Sequence, residues 1–407
     1  MQTAREVVDA VPAAHVIVNA HVHVAPNFSA FDTPESTVAA ARDEGARVVG
    51  ISNFHDHRVY RRFADAATAA GILPLFGLEF ITMVDDLREA GVKVNDPGNP
   101  GRMYLCGKGV DPFRGATAAA VRIAGAARVE NEARARTMVE LLRDHFAAAG
   151  LATSLDDRAI VGDVADRAGV PSDWVVLQER HIAMAFQEAL FLQVPPDRRE
   201  TLLARAYGRT PTAPAEDPVA VQGEIRARLM KAGCPAFVPE SALTFEDALR
   251  LVLEWDGIPT YPTLADGASP VCPFEEPPGD LARRLKERGL HMAELIPGRN
   301  DAAVVDAYVA AFRTAGVAVT AGTEHNTLDA IPFDPVCRGG TPLSPGARAV
   351  FLEGTCVIAA HQHRRRLGLP GFVDEHGVPA AGFEDDDARI RWFAGLGARI
   401  IAGEEVA

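Results

Sequence analysis

Cysteine is scarce in this 407-residue chain, and the few present do not pair up. Cys106, Cys234, Cys272, Cys337 and Cys356 form an odd, dispersed set without a Cys-x-x-Cys. That excludes a disulfide framework and points to reduced thiols. Positive charge is also in deficit, with 41 Lys and Arg against 55 Asp and Glu, a formal −14. An acidic balance of this size argues against general affinity for nucleic acid or anionic membrane. It leaves room for a phosphorylated substrate, because a bound cation inverts the field locally. No apolar run approaches the roughly 20 residues needed to span a bilayer. The first residues carry acids and lack a secretion-signal core, so a cytoplasmic location is expected. Lys108, between Gly107 and Gly109, lacks the Gly-Lys-Ser/Thr ending of a phosphate loop, and there is no Gly-x-Ser-x-Gly elbow. No tandem repeat is visible.

With 48% hydrophobic and 24% charged residues, the chain can bury a large core. The stretch from Val16 to Asn27 begins as a buried strand and ends in His21 and His23. Residues two apart on a strand share a face, so both imidazoles emerge together. Pro26 and Asn27 stop the strand. A capped helix follows from Asp32-Thr33-Pro34-Glu35-Ser36, then a strand from Ala46 to Ser52, a helix from Arg58, and a strand from Ile72 to Phe80. This alternation implies parallel strands whose C-terminal ends share one rim, where ligands collect. His21, His23, His55, Asp56 and Glu79 all fall at such ends.

Residues 81–113 are irregular apart from a short strand near Met103–Cys106, and 116–233 are helical without strands. The α/β rhythm then returns through strands at 257–263, 291–297 and 316–322, the last running into Thr323-Glu324-His325-Asn326. The expected organisation is a first barrel part over 1–113 and a lid-like helical insertion over 114–240. A second barrel part covers 241–330, and a C-terminal helical extension covers 331–407.

Neutral imidazoles and carboxylates from several strand ends make a divalent-metal site. The candidate ligands are His21, His23, Glu79 and Glu324, with His55, Asp56 and His325 nearby. Arg180 and His181 open a helix, where a cation beside free N–H groups suits an oxyanion. His361 and His363, before Arg364-Arg365-Arg366, read as a solvated or interface face.

These residues resemble the polymerase-and-histidinol-phosphatase (PHP) family of metal-dependent phosphoesterases. The likeness runs from His-Val-His at 21–23 through Phe28-Ser29 and Thr33-Pro34-Glu35. It continues with Val-Gly-Ile-Ser-Asn at 49–53, Gly-Leu-Glu at 77–79 and Thr-Ala-Gly-Thr-Glu-His at 320–325. Glu-Arg-His-Ile-Ala at 179–183 is similar to a signature in the helical insertion of the branch that hydrolyses nucleotides, and Cys234-Pro-Ala-Phe-Val-Pro is similar too. The resemblance implies a distorted (β/α)7-type barrel with a helical insertion, and one or two divalent ions (Mn, Zn, Fe or Mg), the first held by His21, His23, Glu79 and Glu324 and a second by His55 or Asp56. It implies catalytic roles for His55, Asp56, Arg180, His181 and His325, and substrate contacts from Arg180, His181, Tyr104 and Tyr261.

The departures are specific. Asn53-Phe54 stands where the family has Asp-His, and Tyr104 where it has a histidine. Thr260-Tyr261-Pro262 stands for Ala-His-Pro, and Thr323-Glu324-His325 for Ser-Asp-x-His. Tyrosine, with an ordinary pKa near ~10, is a poor ligand for most divalent ions. The expected activity is hydrolysis of a small phosphorylated metabolite or nucleotide. An amidohydrolase-like amide or lactone hydrolase and a non-catalytic barrel that has lost its metals remain open.

Overall fold

Short β-branched runs separated by alanine-rich helices build the molecule, whose structure is a computed structural model. It describes residues 16–239, 243–329 and 331–406; the N-terminal stretch inspected above for a secretion signal lies outside them. The first half alternates β1 (Ile17–Val22), α1 (Pro34–Asp43), β2 (Ala46–Phe54), α2 (Tyr60–Ala69) and β3 (Leu73–Met83). Thr33 caps α1 by accepting from the Ser36 N–H at 3.1 Å, and the Ser36 hydroxyl answers by accepting from the Thr33 N–H. A one-turn α3 (Asp85–Glu89) and β4 (Arg102–Lys108) follow. Then come α4 (Ala118–Ala149), α5 (Asp157–Ala168), α6 (Glu179–Gln193), α7 (Pro196–Tyr207) and α8 (Pro218–Ile225). The chain returns through β5 (Leu243–Thr244), α9 (Phe245–Glu254), β6 (Ile258–Thr263), α10 (Pro278–Glu287), β7 (Met292–Leu295), α11 (Ala302–Thr314) and β8 (Ala318–Ala321). Helices α12 (Pro345–Arg366) and α13 (Asp386–Ile401) end it.

The sheet runs β1-β2-β3-β4-β6-β7-β8, with β5 beside β3. It closes almost completely, because the segment after β8 returns to β1. His23 N–H donates to the Glu324 carbonyl at 2.7 Å, and Glu324 N–H to the His21 carbonyl at 2.9 Å. Fold class is therefore a distorted α/β barrel with helical elements. Strands β1 to β3 and β6 to β8 pair in parallel as expected. Strand β4, given no direction by the sequence pattern, is antiparallel to both neighbours. The segment 84–101 doubles back without a crossover helix long enough to return the chain in parallel. Cys106 therefore sits opposite Glu79 and Lys108 opposite Gly77, so β4 points its C-terminal end down into the barrel.

Outward strand residues such as Val49, Ile51, Phe76, Leu105 and Val319 pack on Phe63, Leu251 and Phe312 of the surrounding helices. Each fully buried side chain of this kind contributes roughly 1.5–3 kcal/mol. A second core joins Met138, Phe146, Phe186, Leu203 and Ile225 of α4 to α8. A third rests the N-terminal strand ends (Val48, Leu75, Ile258, Met292, Ala318) on Val357 and Phe393 of the last two helices. Helix α12 lies tight against this floor: a Cβ at Gly354 would collide with the Val319 carbonyl. The face of α12 expected to be solvated is partly core. His361 is buried, its Nε2 against the Asp256 carbonyl at 2.6 Å and its Nδ1 accepting from Phe372 N–H. Among the described residues no helix is long and apolar enough to cross a membrane.

Candidate metal centre

Closing the floor with α12 leaves the opposite rim for chemistry, and the strand ends there are polar where the flanks are apolar. Strand β1 is irregular beyond Asn19. The Asn19 side chain holds that irregularity, accepting from His21 N–H at 3.2 Å and donating to Thr323 Oγ1 and the Phe333 carbonyl. Asn53 extends the pairing of β1 with β2. Its Oδ1 accepts from Val24 N–H and its Nδ2 donates to the Val24 carbonyl, both at 2.8 Å. The amide thus reproduces two backbone bonds of a sheet, which a carboxylate could not do. Gly322 completes the seat of His21: a Cβ there would run into the His21 Cβ.

These supports bring the rings of His21 and His23 to 5.1 Å between centroids. Glu79 Oε2 lies 3.4 Å from His23 Nε2. One donor atom each from His21, His23 and Glu79 falls within 4.8 Å of the others, and all three residues are buried. His21 Nε2 and His23 Nδ1 are buried without a hydrogen-bond partner. Two buried imidazole nitrogens and a carboxylate oxygen suit a divalent ion of the zinc, manganese or iron kind.

Electrostatics separate these groups. Burial, then the neighbouring His21, pushes His23 down to about 3, so its ring is neutral. Burial, then the carboxylates of Glu324 and Glu294, pushes Glu79 up to about 8. Burial works against ionisation of Glu294 too, yet His21 and Lys108 hold it at about 2. Glu294 Oε1 meets His21 Nδ1 at 2.7 Å, and Lys108 Nζ lies 2.6 Å from Oε2. Lys108, only 1% exposed, also donates to the Ala20 carbonyl at 3.1 Å and Ser52 Oγ at 3.0 Å. Cys106 donates to Glu294 Oε1 at 3.5 Å, and burial plus that carboxylate pushes its thiol well above the ordinary range.

The other candidates fall into distinct settings. Glu324 is buried at the rim, but its carboxylate is held by Arg299 and Asn326. Burial opposes ionisation there, and Arg299 followed by His21 and His23 still keeps Glu324 below its usual value. His55 is not drawn into the cluster. A left-handed backbone turn (φ 57°) sets its ring against Phe54 and Phe80, where burial lowers it to about 4. Asp56 accepts from Arg58 N–H at 2.9 Å and Arg58 Nε at 2.6 Å, which ties it to its own loop. His325 has both nitrogens engaged, with Thr323 Oγ1 at 2.6 Å and the Ile331 carbonyl at 3.1 Å, and stacks on Phe333. Tyr261 lies on the outward face of β6, donating to Glu275 Oε1 at 2.9 Å, so it does not reach the rim. His181 is a helix-cap residue whose Nδ1 accepts from Gln178 N–H at 3.1 Å.

Arg180 is placed differently. Gln178 Oε1 accepts from Phe28 N–H at 2.7 Å, tethering the start of α6 to the loop after β1. Arg180 then lines a cleft of about 190 Å³ with Phe28, Gln222, Arg226, Leu328 and Asp329. Burial, then repulsion from Arg226, lowers Arg180 to about 10, while Glu324 and Tyr104 act on it from the barrel. Tyr104 shares the inward face of β4 with Cys106 and Lys108, nearer the mouth.

Sequence reasoning missed Cys106, Lys108, Glu294, Arg226 and Arg299. The signal for Glu294 was a lone carboxylate inside the apolar run Met292-Ala293-Glu294-Leu295. Cys106 and Lys108 gave no signal, because their inward direction depends on the reversal of β4.

No known family matches the chain by its sequence profile, and no curated protein is similar to it in sequence. Several solved structures share the fold. One, from Bifidobacterium adolescentis ATCC 15703, is described as a candidate metal-dependent phosphoesterase. It is 15% identical, covers 83% of this chain and 96% of its own, and has a TM-score of 0.55. Another, an amidohydrolase from Chromobacterium violaceum with bound sulfate and no metal, is 16% identical. It covers 79% of this chain and 94% of its own, with a TM-score of 0.52.

Proposed function

We propose that the chain is a metal-dependent hydrolase acting on a small phosphate ester. The observation that carries this is the convergence of His21, His23 and Glu79 at one rim, with imidazole nitrogens buried and unbonded. A buried polar nitrogen without a partner is costly, and a ligand recovers that cost. A divalent ion held by these three residues would supply Lewis-acid stabilisation and a water of lowered pKa.

The remaining work falls to the chain's own side chains. Glu294 accepts from His21 Nδ1 and so directs the other ring nitrogen toward the rim. Arg180 and Arg226 bring two guanidiniums to the adjoining cleft, alongside the carboxylate of Asp329, with Arg226 also 3.5 Å from Glu179 Oε2. A guanidinium matches the oxygens of a phosphate, and partial burial strengthens that contact. Phe28 and Leu328 offer an apolar wall for the rest of a small substrate. The sulfate in one fold neighbour is an anion of the same shape and charge class.

The test is a panel of phosphomonoesters, phosphodiesters, amides and lactones, assayed with chelator-treated protein resupplied with Mn, Zn or Fe. Metal-dependent phosphate release that His23→Ala abolishes is the expected result. Turnover of amides or lactones alone would favour the amidohydrolase reading, and no metal uptake would overturn both.

A further inference from the structure

Two clusters of ligand-type side chains share His21. The upper one is His21, His23 and Glu79; the lower one is His21, Cys106 and Glu294, whose donor atoms also lie within 4.8 Å of one another. By residue type the lower set, a nitrogen, a sulfur and a carboxylate, would suit zinc. We infer that Lys108 is the resident cation of the lower cluster, so that the barrel takes a metal ion only at the upper one, with Glu294 as the residue that positions His21. This rests on the metal-dependent reading above.

The geometry carries the assignment. The ammonium of Lys108 lies 2.6 Å from Glu294 Oε2, 3.1 Å from the Ala20 carbonyl and 3.0 Å from Ser52 Oγ. The ammonium donates to the Ala20 and Ser52 oxygens, and Glu294 Oε2 meets it as an ion-pair partner rather than through a hydrogen bond. Lys108 is 1% exposed and Glu294 0% exposed, so neither can swing out to water to release the other. A divalent ion entering the lower cluster would face that ammonium across a single carboxylate, in surroundings where like charges repel strongly. The other oxygen of Glu294 is already engaged by His21 Nδ1 at 2.7 Å. That contact fixes the proton on Nδ1 and leaves the Nε2 lone pair for the upper cluster, where Nε2 is buried and unbonded. Lys108 thus completes a chain from ammonium to carboxylate to imidazole, and the imidazole belongs to the upper site alone.

Titration of the metal-free protein with cobalt(II), followed by absorption, tests this without reference to activity. Wild type should bind one equivalent with visible ligand-field bands and no thiolate charge-transfer band, and Cys106→Ser should behave identically. Glu294→Gln should keep the stoichiometry but weaken binding by about 10- to 100-fold, as loss of an outer-shell partner does. Lys108→Met should admit a second equivalent and bring in the thiolate band. The double variant Lys108→Met/Glu294→Gln, a neutral pair of similar volume, guards against simple misfolding and should still bind one ion. A thiolate band in wild type that Cys106→Ser removes, or two equivalents in wild type, would overturn the inference. So would Glu294→Gln binding as tightly as wild type. No cobalt uptake by wild type would instead defeat the metal-dependent reading itself.

Discussion

Metal uptake by this barrel should be coupled to the loss of one proton, from Glu79. In the metal-free protein Glu79 titrates at about 8, raised by burial and then by Glu324 and Glu294. His23 titrates at about 3 and contributes no proton near neutrality. Glu294, at about 2, is already ionised, and Arg299 keeps Glu324 below its ordinary value. A carboxylate must be ionised to hold an ion. Below about pH 8 the ion therefore competes with a single proton, and affinity falls about tenfold per pH unit, or ~1.4 kcal/mol. Between pH 8 and pH 6 that amounts to roughly 100-fold. Calorimetric titration with zinc or manganese, in two buffers of different ionisation heat, counts the protons directly. At pH 6, below the range in which a metal-bound water ionises, about one proton per ion is expected, and Glu79→Gln should release about one fewer than wild type. Affinity that stays constant from pH 6 to pH 8 with no proton release would refute the assignment of the uncompensated charge to Glu79.

Four further outcomes follow from particular contacts. Arg180→Ala should weaken binding of inorganic phosphate by roughly 10- to 100-fold, the worth of a charge-assisted hydrogen bond, without lowering the melting temperature, because a partly buried cation is removed. Tyr261→Phe should cost about 1–2 kcal/mol in denaturant titration by removing one donor from buried Glu275, and should leave metal affinity unchanged. Gly322→Ala should displace His21 and lower cobalt affinity, read by absorption, at a smaller loss of helical circular dichroism. The metal-free protein should lose stability from pH 6.5 to pH 8, measured by urea unfolding: folded Glu79 keeps its proton to about 8, whereas the unfolded chain releases it near 4.5, so the folded state binds more protons across that window and its advantage is lost as pH rises.

Much of the barrel is legible because its signals are local. His21 and His23 follow a β-branched run, Thr33 and Pro34 open a helix, and Gly77-Leu78-Glu79 ends a strand; each needs only near neighbours in sequence. What escapes depends on the third dimension. Tyr261 stands one residue from Thr260 and Pro262, and the pleat of β6 alone turns it outward onto Glu275. His55 and Asp56 follow a strand end as closely as His23 does, but a left-handed turn at His55 and the side chain of Arg58 carry them away. Cys106 and Lys108 belong to the only strand paired antiparallel on both sides among the described residues, and the rule that ligands gather at C-terminal strand ends points the wrong way along it. Asn53 lies near the end of a strand beside the site, and its contacts show the amide serving as backbone for the end of β1.

The charges inside the barrel explain why the upper cluster is the one left wanting a cation. Glu79, Glu294 and Glu324 are all buried and repel one another. Burying an ionised carboxylate without a partner is prohibitive, so each needs a cation or a proton. Glu294 has the ammonium of Lys108, and Glu324 has the guanidinium of Arg299. Among the described residues no lysine or arginine pairs with Glu79, whose neighbour His23 is itself kept neutral by burial. The metal-free barrel settles that imbalance with a proton on Glu79, and the two imidazoles beside it supply the ligands that make a divalent ion a better answer. Had Lys108 stood opposite Glu79 rather than two residues deeper along β4, the same side chains would make a closed salt bridge and no metal site. On the metal-dependent reading proposed above, the register of one reversed strand therefore decides which cluster is left for a metal.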